Sequence, residues 1–397
     1  MGRLHLLPSP LKLPSLEDSS VVLLDDMWLR QLVYGGAVLG AGGGGSIRAG
    51  LRAGRKALAA GPLRLADLKE LPEDARLLTF TGVGTTGKVL GVEKLDWQRT
   101  KALQAFMETG QQQIGGFVSS EVGPLAVTYG WRESAATGIP VVDAPCNGRA
   151  HPMGLMGSLG LHRLPKHITT TVAVGGEPGA DNYVELTTRT NVTNASYLVR
   201  NAASKLRVPM GVVRNPVPAS YVRKHAAVGA LKYARSVGEA LLENLKDGLP
   251  AVLASLAKVM GGRVLAQGRV QSADLAERQG FTLGTIVLST DADAQVRIPL
   301  CNEYMMVMQD GVPLAAFPDL IALFDRNSSL PLSTADVRPG QHLVAFGVPR
   351  SRLILGSAMR DRSLLRPIEV LLRVRFPASS LDPTLDKPTQ LAALIRR

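Results

Sequence analysis

The run Ile114-Gly115-Gly116-Phe117-Val118-Ser119, then Glu121, then residues 124–137 closed by Gly138, then Ile139-Pro140-Val141-Val142-Asp143, decides the fold. Residues 114–119 read as a strand. Residues 124–137 have helical character, with a proline in the first turn, where its missing N–H costs little. Residues 139–142 are short and apolar, as a buried parallel strand should be. Strand, helix and strand at this spacing form a βαβ unit, which predicts an α/β domain with a mainly parallel sheet. Glu121 and Asp143 each stand just past a strand, and in an open parallel sheet those carboxyl ends face the ligand crevice. Two carboxylates there suit an acid/base pair, or a general base beside a metal ligand. Helix capping or a salt bridge is the purely structural alternative.

Working toward the N-terminus, residues 77–81 read as another strand, and 95–109 as a helix. Between them runs Gly82-Val83-Gly84-Thr85-Thr86-Gly87-Lys88, most of a phosphate-loop pattern. Val89 stands where a Ser or Thr would have to reach Mg²⁺, so a substrate-lining or structural loop using Gly84, Thr85 and Lys88 is the better reading. Further back, Asp25 or Asp26 caps a helix to about residue 39. It ends in Gly40-Ala41-Gly42-Gly43-Gly44-Gly45, and Ser46 can cap a second helix to about 59. Four glycines before a helix N-terminus can cradle a carboxylate or phosphate with backbone N–H groups, or simply make a tight interhelical turn. The loop follows a helix and not a strand, so it is no dinucleotide-binding fingerprint. Residues 1–24 read as an N-terminal arm.

Toward the C-terminus, Asp143-Ala144-Pro145-Cys146-Asn147-Gly148-Arg149-Ala150-His151-Pro152 is the most polar turn of this domain. Cys146 is a candidate nucleophile or a packed thiol. His151 is a candidate acid, and Arg149 can clamp a carboxylate. No HExxH or CxxC spacing indicates a metal, so a divalent cation is conceivable and its ligands are unassigned. Helices are expected at 153–164, 193–206, 217–246 and 250–260, and strands at 168–174 and 183–188. From residue 262 the pattern changes to short β-type runs between turn residues (263–270, 281–290, 295–300, 304–309, 313–316, 342–347), which predicts a β-rich domain over 262–350. Residues 366–376 read as a last strand, in a segment 351–397 that returns to the first domain, 25–250.

With 397 residues, 45% hydrophobic and 20% charged, the chain can bury a large core. Its net charge of +12 suits an anionic ligand. The basic residues are scattered and only 5% are aromatic, which argues against nucleic acid. Two cysteines, Cys146 and Cys301, form no disulfide framework and fit a reducing cytoplasm. No apolar run is long enough to span a membrane. A symmetric homo-oligomer is expected from the habit of large α/β proteins.

The ordered set of Leu39-Gly40-Ala41-Gly42-Gly43-Gly44-Gly45, Glu121-Val122-Gly123, Pro140-Val141-Val142-Asp143, Gly148-Arg149-Ala150 and Pro152 resembles the S-methyl thiohydantoin desulfurase family, often discussed beside hydantoinases and oxoprolinases. Gly280-Phe281-Thr282-Leu283-Gly284, Asn302-Glu303, Phe317-Pro318-Asp319-Leu320-Ile321 and Pro339-Gly340 continue the resemblance to about residue 350. It implies an α/β domain before a β-rich one, and hydrolysis at C2 of a five-membered N-heterocycle with loss of methanethiol. It also implies site candidates at Gly42–Gly45, Glu121, Asp143, Arg149, Asn302 and Glu303. The chain departs from the pattern at Ser46, at 124–126, at Pro145, at His151 and at Met153, where the family carries other, mostly polar or acidic, residues. That marks a divergent branch. Three functions follow: a hydrolase of a small anionic heterocycle, with the N–H groups of Gly43–Ser46 and Arg149 holding its carboxylate; a non-catalytic accessory subunit of a hydantoinase-type partner; and a nucleotide-phosphate binder through Gly82–Lys88.

Overall fold

A computed structural model describes residues 22–84, 92–110, 113–164 and 166–377. The first domain is built on an eight-stranded sheet. Its strands are β1 (Val22–Leu23), β2 (Arg64–Ala66), β3 (Arg76–Val83), β4 (Ile114–Ser119), β5 (Val141–Val142), β6 (Thr169–Gly175), β7 (Val184–Thr190) and β8 (Met210–Pro218), in the order β1-β2-β5-β4-β3-β8-β6-β7. The centre, β2-β5-β4-β3, is parallel. The flanks are antiparallel, so the sheet as a whole is mixed. β4 is buried along its whole length, as its apolar sequence requires.

Helices cover both faces. Asp25 caps α1 (Asp26–Leu39) by accepting from Trp28 N, and Ser46 caps α2 (Ile47–Ala60) by accepting from Ala49 N. α3 (Val92–Glu108) and α4 (Trp131–Thr137) follow, then α5 (Val192–Leu206), α6 (Ala219–His225), α7 (Ala230–Glu243) and α8 (Leu249–Met260). α1 packs along α7, with Gly35 facing the Ala234 carbonyl so closely that any β-carbon there would lie 1.7 Å from it. Leu29, Leu32, Val33, Leu231, Val237 and Leu241 fill this layer.

Several expected helices are shorter or broken. Residues 124–137 open with an irregular turn and become α-helical only at Trp131. Residues 153–164 hold two single 3-10 turns, because Gly154, Gly157 and Gly160 interrupt the run. Residues 217–246 begin in β8 and then form α6 and α7, divided at Gly229, whose φ of +86° no helix contains.

The second domain is all antiparallel. Its strands are β9 (Arg263–Arg278), β10 (Phe281–Ser289), β11 (Gln295–Cys301), β12 (Glu303–Tyr304), β13 (Met306–Gln309), β14 (Val312–Ala316), β15 (Leu320–Asp325) and β16 (His342–Val348). The order is β14-β13-β11-β10-β9-β16-β15, with β12 turned back on β11. The sheet curls around Ile286, Leu288, Ile298, Leu300, Leu323 and Leu343. Residues 366–376 are not a strand: Arg366–Leu372 is a helix, α9, with Pro367 in its first turn. Its Ile368 packs with Met359, Leu365 and Phe376 on Phe281, Cys301 and Met156, so this segment touches both domains. Asn147 Oδ1 accepts from Gly356 N, and His162 Nε2 meets Asp361 Oδ2 at 2.8 Å.

Candidate functional site

A cleft of about 510 Å³ opens where the carboxyl ends of β3 and β4 meet the second domain. The first domain contributes the glycine loop, the first turn of α2, Thr81–Gly84, Glu121, His151 and Pro152. The second contributes Asn302, Glu303 and part of the segment 328–336.

The glycine loop is held from outside. Tyr304 N donates to Ala41 O, and Thr334 N to Gly42 O, both at 2.9 Å. A β-carbon on Gly43 would stand 2.0 Å from Glu303 Oε1, and one on Gly44 would stand 2.6 Å from the α-carbon of Gly123. Gly44 also has φ +69°, outside the easy range of other residues. These glycines let the loop pass between a carboxylate and a backbone. Ser46 lines the cleft while its hydroxyl caps α2.

Glu121 follows directly on β4. His151 N donates to its Oε2 at 3.2 Å, and the His151 ring Nε2 lies 3.6 Å from the same oxygen. Burial pushes the Glu121 pKa up to about 7, against the pull of the His151 N–H and the charges of Arg214 and Arg149. Its side chain keeps 14% of its surface exposed, which leaves it reachable from the cleft. Burial, with the positive charge of Arg214, pulls His151 down to about 3, so its ring is neutral at physiological pH. The contact with Glu121 is therefore no ion pair.

Glu303 arrives from the second domain, and Asn302 aims it. Asn302 takes φ +59°, a conformation asparagine tolerates, and its side chain accepts from Thr282 N at 2.9 Å. Thr334 Oγ1 donates to Asn302 O. Glu303 is only 2% exposed, and its Oε2 has no hydrogen-bond partner among the described residues. Burial, then the nearby charge of Glu121, raises its pKa well above the usual carboxylate range.

Three of the residues singled out in the polar turn are not in the wall of the cleft. Asp143 lies 2% exposed beneath α7, where its Oδ1 accepts from Leu231 N at 2.8 Å and its carbonyl from Gly229 N. It caps that helix, and burial raises its pKa to about 6. Cys146 is buried against Thr79 Oγ1 at 3.4 Å, and burial pushes its thiol up to about 11. That is the setting of a packed thiol and not of a nucleophile. Arg149 is fully buried, sits over the Phe317 ring at 4.7 Å and donates to Pro318 O and Asp319 O. It ties the two domains together, and its pKa, lowered by burial to about 10, keeps it charged. Gly84 does line the cleft; Thr85 and Lys88 lie outside the described residues.

Two arginines not singled out in the sequence complete the wall. Arg214 projects from β8 and donates to Gly154 O at 3.0 Å. Arg200, on α5, donates to Gly280 O and Pro152 O and stacks over the Phe281 ring at 4.1 Å. Their signals are faint but present. Arg214 interrupts the apolar run from Met210, and Arg200 follows directly on the buried stripe Val192, Ala195, Val199. Tyr129 and Ile47 give the cleft an apolar side. Among the described residues no group of three His, Cys, Asp or Glu side chains is placed to hold a metal, and no helix is long and apolar enough to cross a membrane.

Comparison with known proteins agrees with this architecture. No curated protein matches the chain. A crystal structure of a protein from Chromobacterium violaceum, a structural-genomics target, aligns with 89% of this chain and 96% of its own, at 20% identity and a TM-score of 0.66. Family profiles described as the S-Me-THD-like N-terminal and C-terminal domains match residues 27–185 and 189–358, in that order. The chain belongs to the S-Me-THD-like family.

Proposed function

We propose that the protein is a hydrolase of a five-membered N-heterocycle of the hydantoin or S-methyl thiohydantoin type, acting in the interdomain cleft. The observation that carries this reading is the meeting of two buried carboxyl groups, one per domain, with displaced and unequal pKa values. Glu121, poised near neutrality, is the general base that takes a proton from water. The water oxygen bonds to C2 as the C2=N π bond opens onto the ring nitrogen. The hydroxyl proton then passes to that nitrogen, giving N–H, as the tetrahedral centre collapses to C2=O and breaks its C2–S bond. Glu303, protonated, gives its proton to the departing thiolate, so that methanethiol leaves and C2 becomes a carbonyl. The two carboxyl groups recover their starting states by exchange with solvent.

His151 has a different part from the acid expected of it. As a neutral ring it is a poor proton donor, and its backbone N–H holds Glu121 in place. Arg200 and Arg214, both in the cleft wall, are the groups that hold an anionic arm of the substrate. Arg149, turned away into the interdomain packing, keeps its charge beside both glutamates.

The test is incubation of the purified full chain with an S-methyl thiohydantoin bearing a 5-propionate arm, with assay of free thiol. Release that disappears in Glu121→Gln supports the reading. A folded wild-type chain that releases none overturns it and favours the accessory-subunit alternative, to which the changed residues Pro145 and Met153 already point.

A further inference from the structure

Behind the two arginines lies a second cavity, of about 10 Å³. It sits on the face of the sheet where β8, β6 and β7 run side by side: Arg214 pairs with Thr171, and Thr171 with Thr188. Val192, Ala195 and Val199 of α5 cover it. Arg214, Thr171 and Asn215 line it, and these residues are 5%, 2% and 0% exposed. Arg214 Nε, Thr171 Oγ1 and Asn215 Nδ2 are buried without a hydrogen-bond partner among the described residues.

The other ends of two of these side chains are fixed. Arg214 Nη2 donates to Gly154 O, and Asn215 Oδ1 accepts from Thr169 Oγ1 at 3.0 Å. Arg214 Nε and Asn215 Nδ2 therefore cannot turn away to satisfy themselves elsewhere. Buried polar atoms in native proteins are satisfied, by protein or by ordered water. A polar space of about 10–15 Å³ holds one water molecule and nothing larger.

We infer that this cavity holds a single ordered water, which accepts from Arg214 Nε–H and Asn215 Nδ2–H and donates to Thr171 Oγ1. Through that water, Thr171 and Asn215 act as positioning residues for the Arg214 guanidinium at the wall of the cleft. Three hydrogen bonds are the usual complement of a buried water. Arg214 lines both the small cavity and the cleft, so what restrains its Nε restrains the end that faces the substrate. The positioning role rests on the function proposed above; the water does not.

The experiment is a crystal structure of the full chain at about 1.5 Å, with a parallel bromide soak. One water peak within about 2.7–3.2 Å of all three atoms is expected. Empty density, or an anomalous bromide peak at that point, overturns the water. Thr171→Val keeps the side-chain shape and removes the hydroxyl. In it the peak should vanish, Arg214 should lose its single rotamer, KM should rise at least about fivefold with kcat little changed, and Thr171→Ser should restore all three. An unmoved Arg214 in the variant overturns the positioning role even if the wild type turns over no substrate, which separates this result from failure of the proposed activity.

Discussion

The ends of β4 and β5 are neighbours in the parallel centre of one sheet, and each delivers a carboxylate in the same way. Glu121 and Asp143 are both buried, and burial raises both pKa values, to about 7 and about 6. Their surroundings then diverge. Over Asp143 the chain lays the N-terminus of α7, whose backbone N–H takes the carboxylate as a cap. Over Glu121 it lays only the His151 backbone and leaves the cleft open. What covers a strand end, and not the strand end itself, decides whether an acid there supports the fold or the chemistry.

The largest effect that would break this comparison is on turnover. Glu121→Gln should lower kcat by about 10²–10⁴-fold with an unchanged circular-dichroism spectrum, whereas Asp143→Asn should keep most of the activity. Equal losses in the two variants would show that the strand ends are not divided in this way. Next, Glu303→Gln should lower kcat by a similar factor, since an amide occupies the space but donates no carboxyl proton. The third effect is on pH. With the base near 7, kcat/KM should climb about tenfold per unit below that value, and it should fall again where Glu303 ionises.

Two smaller effects sharpen the comparison through stability. A carboxyl group whose pKa is raised in the folded state favours folding when protonated, and that advantage is lost as pH rises from about 4.5 to about 7. Glu121→Gln should therefore flatten the decline in thermal stability over that window and be the more stable form above it, by up to about 3 kcal/mol. Asp143→Ala, which leaves the Leu231 N–H without its cap, should be destabilised by about 1–2 kcal/mol at pH 5, a deficit that narrows as pH rises through about 6 and the wild type loses the advantage of its protonated Asp143. Differential scanning calorimetry from pH 5 to 8 reads both.

Much of this architecture is legible in the amino-acid sequence alone. The apolar run Ile114–Ser119 with its short partner at 139–142, and the caps at Asp25 and Ser46, are local signals, and local signals survive in sequence. Glu121 can be found because it ends a strand of recognisable type. Glu303 cannot: β12 has two residues, and nothing local says that it faces a strand end of the other domain. Only the family resemblance brings it into view. β8 is hidden because Asn215, Pro216 and Pro218 break its pattern, and Arg214 is hidden with it. The short β5 and the glycine-broken 153–164 show the same limit, since tertiary packing and not propensity sets their lengths.

The position of β8 has one more consequence. The two family profiles divide the chain between residues 185 and 189, within β7. Yet β8, which comes later, is inserted in the middle of the first sheet, between β3 and β6. A fragment cut at that boundary would carry a sheet with a missing inner strand, and its complement would carry that strand with no sheet to enter. The halves are units of sequence description and not of inheritance: a recombination event at that seam, or a gene split there, would have to bring both pieces back together in the same cell to make one working cleft.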